Sequence, residues 1–524
     1  MKNMLLFILC IGFISASAQT VPFSLDLQEV NAPGLPAVHS YAKAQAGDKW
    51  LIVAGRVDGL HSLFPNQAFS FTEQNNNIFV IDTSTWNVWQ SSLYYVPYQI
   101  RQSLSATNTE FYQRGNYLYV IGGFGFDSLN SVKKTFSTLT ALDVDGLISE
   151  IVSGGNDLAP YMRQISDTMF AVAGGKIESI GSKVYLAGGQ DFSGLYTKLN
   201  AGLYTQHYMN SITGFDLNDD GINISVNNFV MNIDTVNFHR RDLNCAPWIS
   251  SSNEEGFAVY GGVFQYDHDT PYQNPIYVTQ NGITVDASFE QKTSQYQCPV
   301  IPLYDSAAND MYSVFIAGMS LYYFDSVTQA LKEDTMVPFI KDISTLIHHA
   351  NGTTDEVILP VQFPQLGGAN AEFFQNTSLQ HYENGVMKLR TFTQPVLLGY
   401  IFGGMTSIAG NDGVTSPSNK CYRVILEPDF GSGISPVSSK KNIRFYPNPS
   451  EDATQLIINI PCAELKEIKI IDALNHVVAM LHSQISSGSE TRIRINTKNF
   501  PAGIYSVIVQ TQFQSFTSRL AIVR

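Results

Sequence analysis

The sequence predicts an all-β protein in which a repeated four-stranded unit is followed by a small β-sandwich. Three observations predict this fold class. The chain has 26 Tyr, 32 Phe and 39 Gly but only 15% charged residues, a composition that favours strands and turns. A short apolar strand that ends in glycine recurs along most of the chain. Residues 443–524 lack this feature and alternate apolar with polar residues.

Residues 1–18 have the pattern of a secretory signal peptide. Lys2 supplies a short positive region, and residues 5–14 form an apolar core that is too short to span a bilayer. Ala16-Ser17-Ala18 is a small-x-small cleavage site. We therefore expect a chain exported to the periplasm, with a mature form that begins at Gln19. We expect no transmembrane segment in the rest of the chain.

The recurring strand runs into two small residues, of which the second is glycine. It occurs in WLIVAGRVDG (50–59), GNYLYVIGGFG (115–125), KVYLAGGQD (183–191), GFAVYGGVF (256–264), SVFIAGMS (313–320) and GYIFGGMTS (399–407). Glycine weakens strands, so its recurrence indicates close backbone approach or positive φ. A phosphate loop is excluded because no Lys-Ser/Thr follows. We predict a structural role for Gly122, Gly123, Gly188, Gly189, Gly261, Gly262, Gly403 and Gly404.

The residues around each glycine pair also repeat, so that each unit offers four short strands. Four-stranded units without a helical period are typical of a β-propeller. We predict this fold for residues 19–430, with seven blades or, as the alternative, six. A seventh blade would lie between Gly318 and Gly404, where DEVILPVQF (355–363) is the candidate strand. The strand PFSLDLQEV (22–30) is expected to complete the last blade and to remove its exposed edge.

The repeat resembles the kelch family over roughly residues 22–430. The resemblance rests on the strand ending in Gly-Gly, on a following strand that ends in Asp, and on an aromatic residue in the outer strand. The segment NNIFVIDTSTWNVW (76–89), with Trp86 and Trp89, shows the last two features. The units are longer than the usual kelch repeat of about 50 residues. We expect the excess to lie in loops, which carry function on such scaffolds.

A second domain is predicted after a Gly/Ser/Pro-rich linker at residues 431–442. Residues 443–524 alternate as a small Ig-like β-sandwich does. They resemble the C-terminal sorting domain of the type IX (Por) secretion system of Bacteroidetes. The residues that carry the resemblance are Tyr446, Pro447, Asn448, Pro449, Gly503, Tyr505 and the terminal Arg524. The resemblance implies that the type IX machinery is a partner. It also implies export across the outer membrane, followed by release or cell-surface attachment, with or without cleavage of the domain.

Several chemistries are not indicated. A net charge of −14 argues against nucleic acid as a partner. No GxSxG, HExxH or P-loop signature occurs. The spacing of Cys245, Cys298, Cys421 and Cys462 matches no zinc site, so we expect no metal and no cofactor. Four free thiols and a disulfide between Cys245 and Cys298 both stay open.

The candidate ligand-binding residues are Arg101, Arg163, Arg241 and His39. Each begins a similar segment upstream of a glycine pair: RQSLSA (101–106), RQISDT (163–168), RDLNCA (241–246) and HSYAKA (39–44). In a propeller these segments would surround one channel mouth, where guanidiniums suit an anionic or polyhydroxylated ligand such as a sialic or uronic acid. The alternative is that each Arg bonds loop carbonyls of its own blade.

We therefore expect a binding protein rather than an enzyme, acting outside the cell on a carbohydrate or an extracellular protein. The loops 191–210 and 264–280 are rich in Tyr, Asn and Gln, which suit carbohydrate recognition. The alternative function is a sugar-acid mutarotase that resembles the sialic-acid epimerases of this fold and uses channel residues as acid and base. Because one fold hosts many functions, this alternative rests partly on analogy.

Overall fold

The computed structural model describes residues 21–62, 64, 67–197, 201–411, 413–430, 443–458, 465–472, 477–481, 491–511 and 515–524. The predicted signal peptide, the predicted linker at 431–442 and Cys462 lie outside the described residues. The chain divides into two compact units, Met1–Phe430 and Gly431–Arg524. In the described part, no helix combines the length and the apolar character that crossing a membrane requires.

The first unit is all-β and contains six sheets, each with an antiparallel path of four strands. We number them in chain order, and name the first strand of each path the inner strand and the last the outer strand. Sheet 1 has Ala42–Ala46, Lys49–Val53, Asn77–Asp82 and Val88–Ser92. Sheet 2 has Glu110–Arg114, Tyr117–Ile121, Ser137–Asp143 and Met162–Ala171. Sheet 3 has Lys176–Ile180, Lys183–Ala187, Ser211–Asp219 and Ile224–Ile233.

The other three sheets follow the same path. Sheet 4 has Asn244–Ile249, Glu255–Tyr260, Ile276–Thr279 and Gly282–Val285. Sheet 5 has Val300–Asp305, Asp310–Met319, Phe339–His348 and Thr354–Gln362. Sheet 6 has Gly367–Gln375, Val396–Ser407, Cys421–Pro428 and Phe23–Glu29. The short strands Met387–Lys388 and Thr415–Pro417 extend sheets 5 and 6.

The long connections form further elements. An inserted sheet combines Phe124–Asp127 and Val132–Thr135 from one connection with Gln190–Gly194 and Tyr204–Tyr208 from another. A separate hairpin has Tyr322–Asp325 and Ala330–Glu333. The 3₁₀ helices are Phe71–Glu73, Leu93–Tyr95, Ala159–Tyr161, Ala201–Leu203 and Leu389–Thr391.

Two short α-helices lie among the strands of the first unit. Helix α1 spans Tyr98–Leu104 and helix α2 spans Val144–Val152. The Asp143 side chain accepts a hydrogen bond from the Gly146 N–H at 3.0 Å and so caps α2. Asp143 therefore ends the strand Ser137–Asp143 and also starts a helix.

Apart from the inserted sheet, which is also four-stranded, the described residues of the first unit form six four-stranded paths, so the strand pairing favours the alternative count of six blades over seven. The segment at 355–363, predicted to begin a hidden unit, lies largely in Thr354–Gln362, the outer strand of sheet 5. The wide interval between Gly318 and Gly404 is filled instead by long strands, by the hairpin and by the inner strand of sheet 6.

The N-terminal strand completes the last sheet, as predicted. Phe23–Glu29 pairs antiparallel with Cys421–Pro428 from Phe23 opposite Pro428 to Glu29 opposite Tyr422. Sheet 6 also packs against sheet 1, as the Phe374 ring of sheet 6 stacks on the Trp50 ring of sheet 1 with centroids 4.0 Å apart. The start of the chain thus binds to its last sheet and removes a free edge.

Replacing Leu25 with Ala is expected to destabilise the first unit by about 2–5 kcal/mol, the usual effect of truncating a buried leucine. Leu25 is 7% exposed and packs in a core shared by sheets 5 and 6. Ser24, its exposed neighbour on the same strand, gives the matched control in a Ser24→Ala variant. Urea unfolding measures both. Equal midpoints for the two variants would contradict a core role for this strand.

The glycine pairs connect consecutive sheets. The second glycine of a pair donates its N–H to a carbonyl just before the inner strand of the next sheet: Gly55 to Ala106 (2.8 Å), Gly123 to Val172 (2.7 Å), Gly189 to Arg240 (2.7 Å) and Gly262 to Gln295 (2.7 Å). Gly404 of sheet 6 donates to Val38, just before sheet 1, at 3.0 Å. These contacts support the structural role proposed for the pairs.

The second unit has two sheets around one core. The three-stranded sheet has Ile443–Tyr446, Ala453–Ile458 and Thr491–Asn496. The four-stranded sheet has, in spatial order, Val477–Leu481, Leu465–Ile471, Gly503–Thr511 and Ser515–Ile522. Buried residues of both sheets, among them Leu456 and Val507, form one apolar cluster. This is the two-layer packing of a β-sandwich.

Candidate functional site

The segments that lead into the inner strands of sheets 1 to 5 lie side by side with the inner strand of sheet 6. One residue of each of the five segments, and Asn370 within the inner strand of sheet 6, join a chain of backbone hydrogen bonds, which we call the belt. The N–H to carbonyl links are Ser40 to Asn370 (3.3 Å), Asn370 to Gln297 (2.8 Å), Gln297 to Asp242 (2.9 Å), Asp242 to Gly174 (2.6 Å) and Gly174 to Asn108 (3.0 Å). The belt thus links all six sheets around a common centre.

The belt separates two cavities. In sheets 1, 4 and 5, the residue that precedes the belt residue in the sequence lines the first cavity. These residues are His39, Arg241 and Tyr296. Residues that follow the belt, such as Lys43, Asn244 and Cys298, line the second. Thr107 and Ala173 precede the belt in sheets 2 and 3 and also line the first cavity. We name the first the arginine cavity and the second the axial cavity.

Arg241 and His39 lie in the arginine cavity, whereas Arg101 and Arg163 do not. The expectation that all four surround one mouth is therefore wrong. Arg101 belongs to α1 and Arg163 to the outer strand of sheet 2. The sequence analysis treated the basic residues of the segments as equivalent. In the structure, the equivalent residues are those that precede each belt residue in the sequence. Thr107 and Ala173 occupy that position in sheets 2 and 3.

The two outlying arginines have partners of their own. The Arg101 guanidinium lies 4.9 Å from the Tyr94 ring centroid and 5.5 Å from that of Tyr98. Arg163 forms a bidentate ion pair with Asp219 of sheet 3, with Nη2 3.0 Å from Oδ2. Burial raises the pKa of Asp219, but hydrogen bonds from Arg163, the Gly221 N–H and Tyr119 outweigh burial and lower it overall. Arg163 therefore links two sheets.

The Arg163→Gln variant is expected to lose about 2 kcal/mol of stability near neutral pH, the contribution of a hydrogen-bonded charged pair. Because the folded-state pKa of Asp219 is lowered, the pair stabilises the protein above the ordinary Asp pKa of about 3.9. The difference from wild type should shrink as the pH falls below that value. Urea unfolding across the acid range tests this, and a difference that does not change with pH would contradict it.

Arg241 is the buried guanidinium of the arginine cavity, with 5% of its surface exposed. Its Nη1 donates to Gln190 Oε1 at 2.5 Å and its Nη2 to the Tyr196 hydroxyl at 2.9 Å. The guanidinium carbon lies 4.4 Å from the centroid of the Phe264 ring. Its Nε lies 3.7 Å from Asp242 Oδ2 and makes no hydrogen bond within the described residues.

Arg56 is a second cavity arginine, which the sequence analysis missed. It is 2% exposed and donates to both carboxylate oxygens of Asp58, at 2.7 and 2.6 Å. The sequence does contain a signal that could have identified Arg56 as a cavity residue, because Arg56 directly follows the second residue of its glycine pair, Gly55. The residues in that position of sheets 2, 3 and 6 also line the cavity: Phe124, Gln190 and Met405.

Two histidines of the arginine cavity are neutral at pH 7. The pKa of His39 and of His61 is lowered to about 4, mainly by burial; the Arg56 guanidinium acts in the same direction and Asp58 acts against it. His39 Nδ1 lies 3.0 Å from Ser40 Oγ, and its Nε2 lies 3.9 Å from Asp58 Oδ1. His39 Nε2 can therefore act as a neutral donor or acceptor.

Aromatic side chains cover the arginine cavity. His61 stacks on Phe69 at 4.4 Å between centroids and meets Tyr196 edge to face at 4.6 Å. Phe69 also packs on Phe124 at 5.2 Å. The free space among the lining residues is about 50 Å³, while one water needs roughly 10–15 Å³. The space suits a few waters or one compact polar group.

Three polar atoms of the arginine cavity make no hydrogen bond to the described part of the protein: His39 Nε2, Arg241 Nε and Asn370 Oδ1. All three belong to buried side chains. A buried polar atom without a partner costs about 1–3 kcal/mol, so native proteins rarely leave three together. This set of atoms is equipped to accept and to donate hydrogen bonds to a bound group.

Other sequence predictions are placed as follows. Cys245, Cys298 and Cys421 are free thiols. Across the described ranges, no group of three or more His, Cys, Asp or Glu side chains could hold a metal ion. The loop 191–210 supplies Phe192 and Tyr196 to the arginine cavity, whereas 264–280 lines none of it.

Several sorting residues make side-chain hydrogen bonds to backbone groups of the second unit. Asn448 Nδ2 donates to the Arg519 carbonyl at 3.0 Å, and its Oδ1 accepts from the Ala521 N–H at 2.8 Å. The Tyr505 hydroxyl donates to the Pro501 carbonyl at 2.8 Å. The Arg524 guanidinium donates to four carbonyls: Glu451, Thr497, Lys498 and Phe500. Tyr446, by contrast, is 76% exposed.

Comparison with known families decides the nature of the second unit. Residues 444–523 match a family described as the secretion system C-terminal sorting domain. The second unit carries a type IX secretion sorting domain. The resemblance seen in the sequence is thereby confirmed for this part of the chain. Because this domain directs export, the protein is secreted or held at the outer cell surface.

No family is identified for the first unit. No curated protein matches it. A solved structure described as "Structure of YjhT" matches with a TM-score of 0.41 and 12% identity, over 74% of this chain and 95% of that one. The kelch resemblance of the first unit stays a prediction.

Proposed function

We propose that the first unit is a six-bladed, kelch-like β-propeller that binds the acidic group of a carbohydrate outside the cell. The proposal of a propeller is supported by the six four-stranded paths, by the glycine hydrogen bonds between consecutive sheets and by the belt. The observation that carries the proposed function is Arg241, a buried guanidinium that faces a cavity with its Nε unbonded in the described structure.

The charges around the arginine cavity favour an anion. Arg56 is already neutralised by Asp58. Asp242 accepts from Asn108 Nδ2 at 2.7 Å, and burial raises its pKa despite the nearby Arg241. Asp242 Oδ2 lies 3.7 Å from Arg241 Nε, too far for a hydrogen bond, so the Nε–H is still available to a ligand. A carboxylate ligand would complete the guanidinium's hydrogen bonds, because planar oxygen pairs match its fork.

The size of the cavity indicates which part of the ligand enters. About 50 Å³ is too little for a sugar ring but suits a carboxylate. The ring would then lie over the aromatic cover of His61, Phe69 and Tyr196, where stacking favours pyranose faces. Arg241 would bind the acidic group, and the cover would bind the ring.

A thermal-shift measurement tests the proposal. Glucuronate, galacturonate and N-acetylneuraminate are expected to raise the melting temperature of the first unit, whereas glucose and galactose are not. A ligand at 100 times its Kd stabilises the native state by about 2.7 kcal/mol. Equal shifts with acidic and neutral sugars, or no shift with any acid, would contradict an acidic-ligand site.

A second candidate function is a sugar-acid mutarotase in the same cavity. His39, neutral at pH 7 and 3.9 Å from Asp58, could exchange a proton with a bound hydroxyl. NMR distinguishes the two functions. A mutarotase at catalytic concentration accelerates anomer exchange of the acidic sugar, and the acceleration should vanish in a His39→Phe variant. A binding protein leaves the exchange rate unchanged.

An extracellular protein that presents an acidic side chain would use the same cavity.

A further inference from the structure

The axial cavity lies on the other side of the belt and is lined by the inner strands of all six sheets or by residues next to them. Its volume is about 230 Å³, smaller than the roughly 300–1,000 Å³ of sites for drug-sized ligands. Four charged side chains face it: Lys43, Lys176, Glu178 and Glu372. The two acids and two bases give the cavity wall no net charge when all four are ionised.

Two of these four side chains pair with each other. Lys176 Nζ lies 3.6 Å from Glu372 Oε1, which also accepts from Gln297 Nε2 at 3.4 Å. Glu372 is thereby held by both a lysine and a belt residue. This pair needs nothing further from a ligand.

The other two, Lys43 and Glu178, have no hydrogen bond or ion pair from their side chains in the described part of the chain. The Lys43 ammonium lies over two rings, with Nζ 4.9 Å from the Phe374 centroid and 5.9 Å from that of Phe111. Burial raises the pKa of Glu178 to about 7 and lowers that of Lys43. Lys43 and Glu178 attract each other without forming an ion pair, and this attraction acts against both shifts. Both side chains are half-buried in the cavity wall, and ionisable groups without an ion pair in such a place often mark functional sites.

We propose that the axial cavity binds a small zwitterion of the α-amino-acid class, with its ammonium group at Glu178 and its carboxylate at Lys43. A simple anion would satisfy Lys43 and leave Glu178 unpaired, and a simple cation would do the reverse. A zwitterion neutralises both at once. The apolar lining of Phe111, Val300 and Pro302 leaves room for a small apolar side chain.

This site is independent of the arginine cavity. The belt lies between the two, and the residues that carry each proposal are different. Failure of one proposal therefore leaves the other standing.

Titration calorimetry of the whole protein with L-alanine tests the proposal. L-Alanine is expected to bind saturably. Propionate has only its carboxylate and ethylamine only its ammonium group, so each is expected to bind at least tenfold more weakly. No saturable heat with L-alanine, or equal affinity for propionate, would overturn the proposal. This comparison uses the unaltered protein and so needs no variant to fold.

Substitutions then locate the site. Lys43→Met and Glu178→Gln are each expected to weaken L-alanine binding at least tenfold. Lys183→Met is the matched control, because Lys183 is a partly exposed lysine of sheet 3 that pairs with Asp216 at 3.1 Å. It should bind L-alanine as wild type does. Unchanged binding in both cavity variants, with unchanged melting temperatures, would overturn the assignment.

Discussion

Arg241→Met is expected to weaken glucuronate binding by roughly 30-fold or more. Removing one partner of a buried, hydrogen-bonded charge pair costs about 2–5 kcal/mol, and Arg241 is the cavity guanidinium whose Nε is free to bind. Methionine keeps much of the length and apolar volume of the arginine stem, so the surrounding rings retain contacts. Titration calorimetry with glucuronate and with glucose measures the loss.

Arg101→Met is the matched control for this prediction. Arg101 and Arg241 begin similar sequence segments, but Arg101 lies on α1 against Tyr94 and Tyr98. Its loss should leave glucuronate affinity unchanged. Because Arg241 also holds Gln190 and Tyr196, the melting temperature of each variant must be compared with wild type. Wild-type affinity in a folded Arg241→Met protein would contradict the proposed site.

Gly122→Ala is expected to destabilise the first unit by more than about 3 kcal/mol, because strain and a backbone clash add. Gly122 has a φ of +62°, and a Cβ there would lie 2.0 Å from the Val172 carbonyl oxygen. That oxygen belongs to the segment before sheet 3 and accepts the Gly123 N–H. Neither backbone can move without breaking this link between sheets. Urea unfolding measures the loss.

Gly115→Ala separates the two causes. Gly115 has a similar φ of +57°, but a Cβ there would meet no atom within 4 Å. Its substitution should cost only the conformational strain, about 1–2 kcal/mol. Equal losses at Gly115 and Gly122 would contradict the view that close approach of consecutive sheets requires the glycine pair.

Local patterns made much of the architecture predictable. The glycine pairs, the turn residues and the alternation of apolar residues act within a few positions, so they are visible in the sequence. The pairing of PFSLDLQEV with the last sheet was predicted because a ring of sheets must close its edge. The sorting domain was recognisable from Tyr446 to Pro449 and from Gly503 and Tyr505, which stand close together in the sequence, although Asn448 contacts the distant Arg519.

Two features depend on contacts between residues far apart in the sequence: the number of sheets, and which of the arginines enter the arginine cavity. The segment DEVILPVQF has the composition of a strand in any sheet, and only its pairing with Phe339–His348 assigns it to sheet 5. Arg101 was misplaced because α1 separates it from Thr107, the residue that enters the arginine cavity in sheet 2. Sequence similarity around the basic residue could not show that separation.

Most of the candidate site comes from tertiary contacts that one sequence does not show. Tyr196 reaches Arg241 from an inserted sheet whose strands come from two connections, joined where Ser193 pairs with Lys134. Arg56 is recognisable as a cavity residue only once the residue after the second glycine is known to face inward. The belt likewise requires that all six sheets are already in place.

The most direct test of the central claim is a crystal structure of the protein soaked with glucuronate. We expect the carboxylate in the arginine cavity, with an oxygen about 2.7–3.2 Å from Arg241 Nε, as a hydrogen bond requires. The sugar ring should lie against His61, Phe69 or Tyr196. Glucuronate bound elsewhere, or bound in the cavity with its carboxylate turned to solvent, would contradict the account.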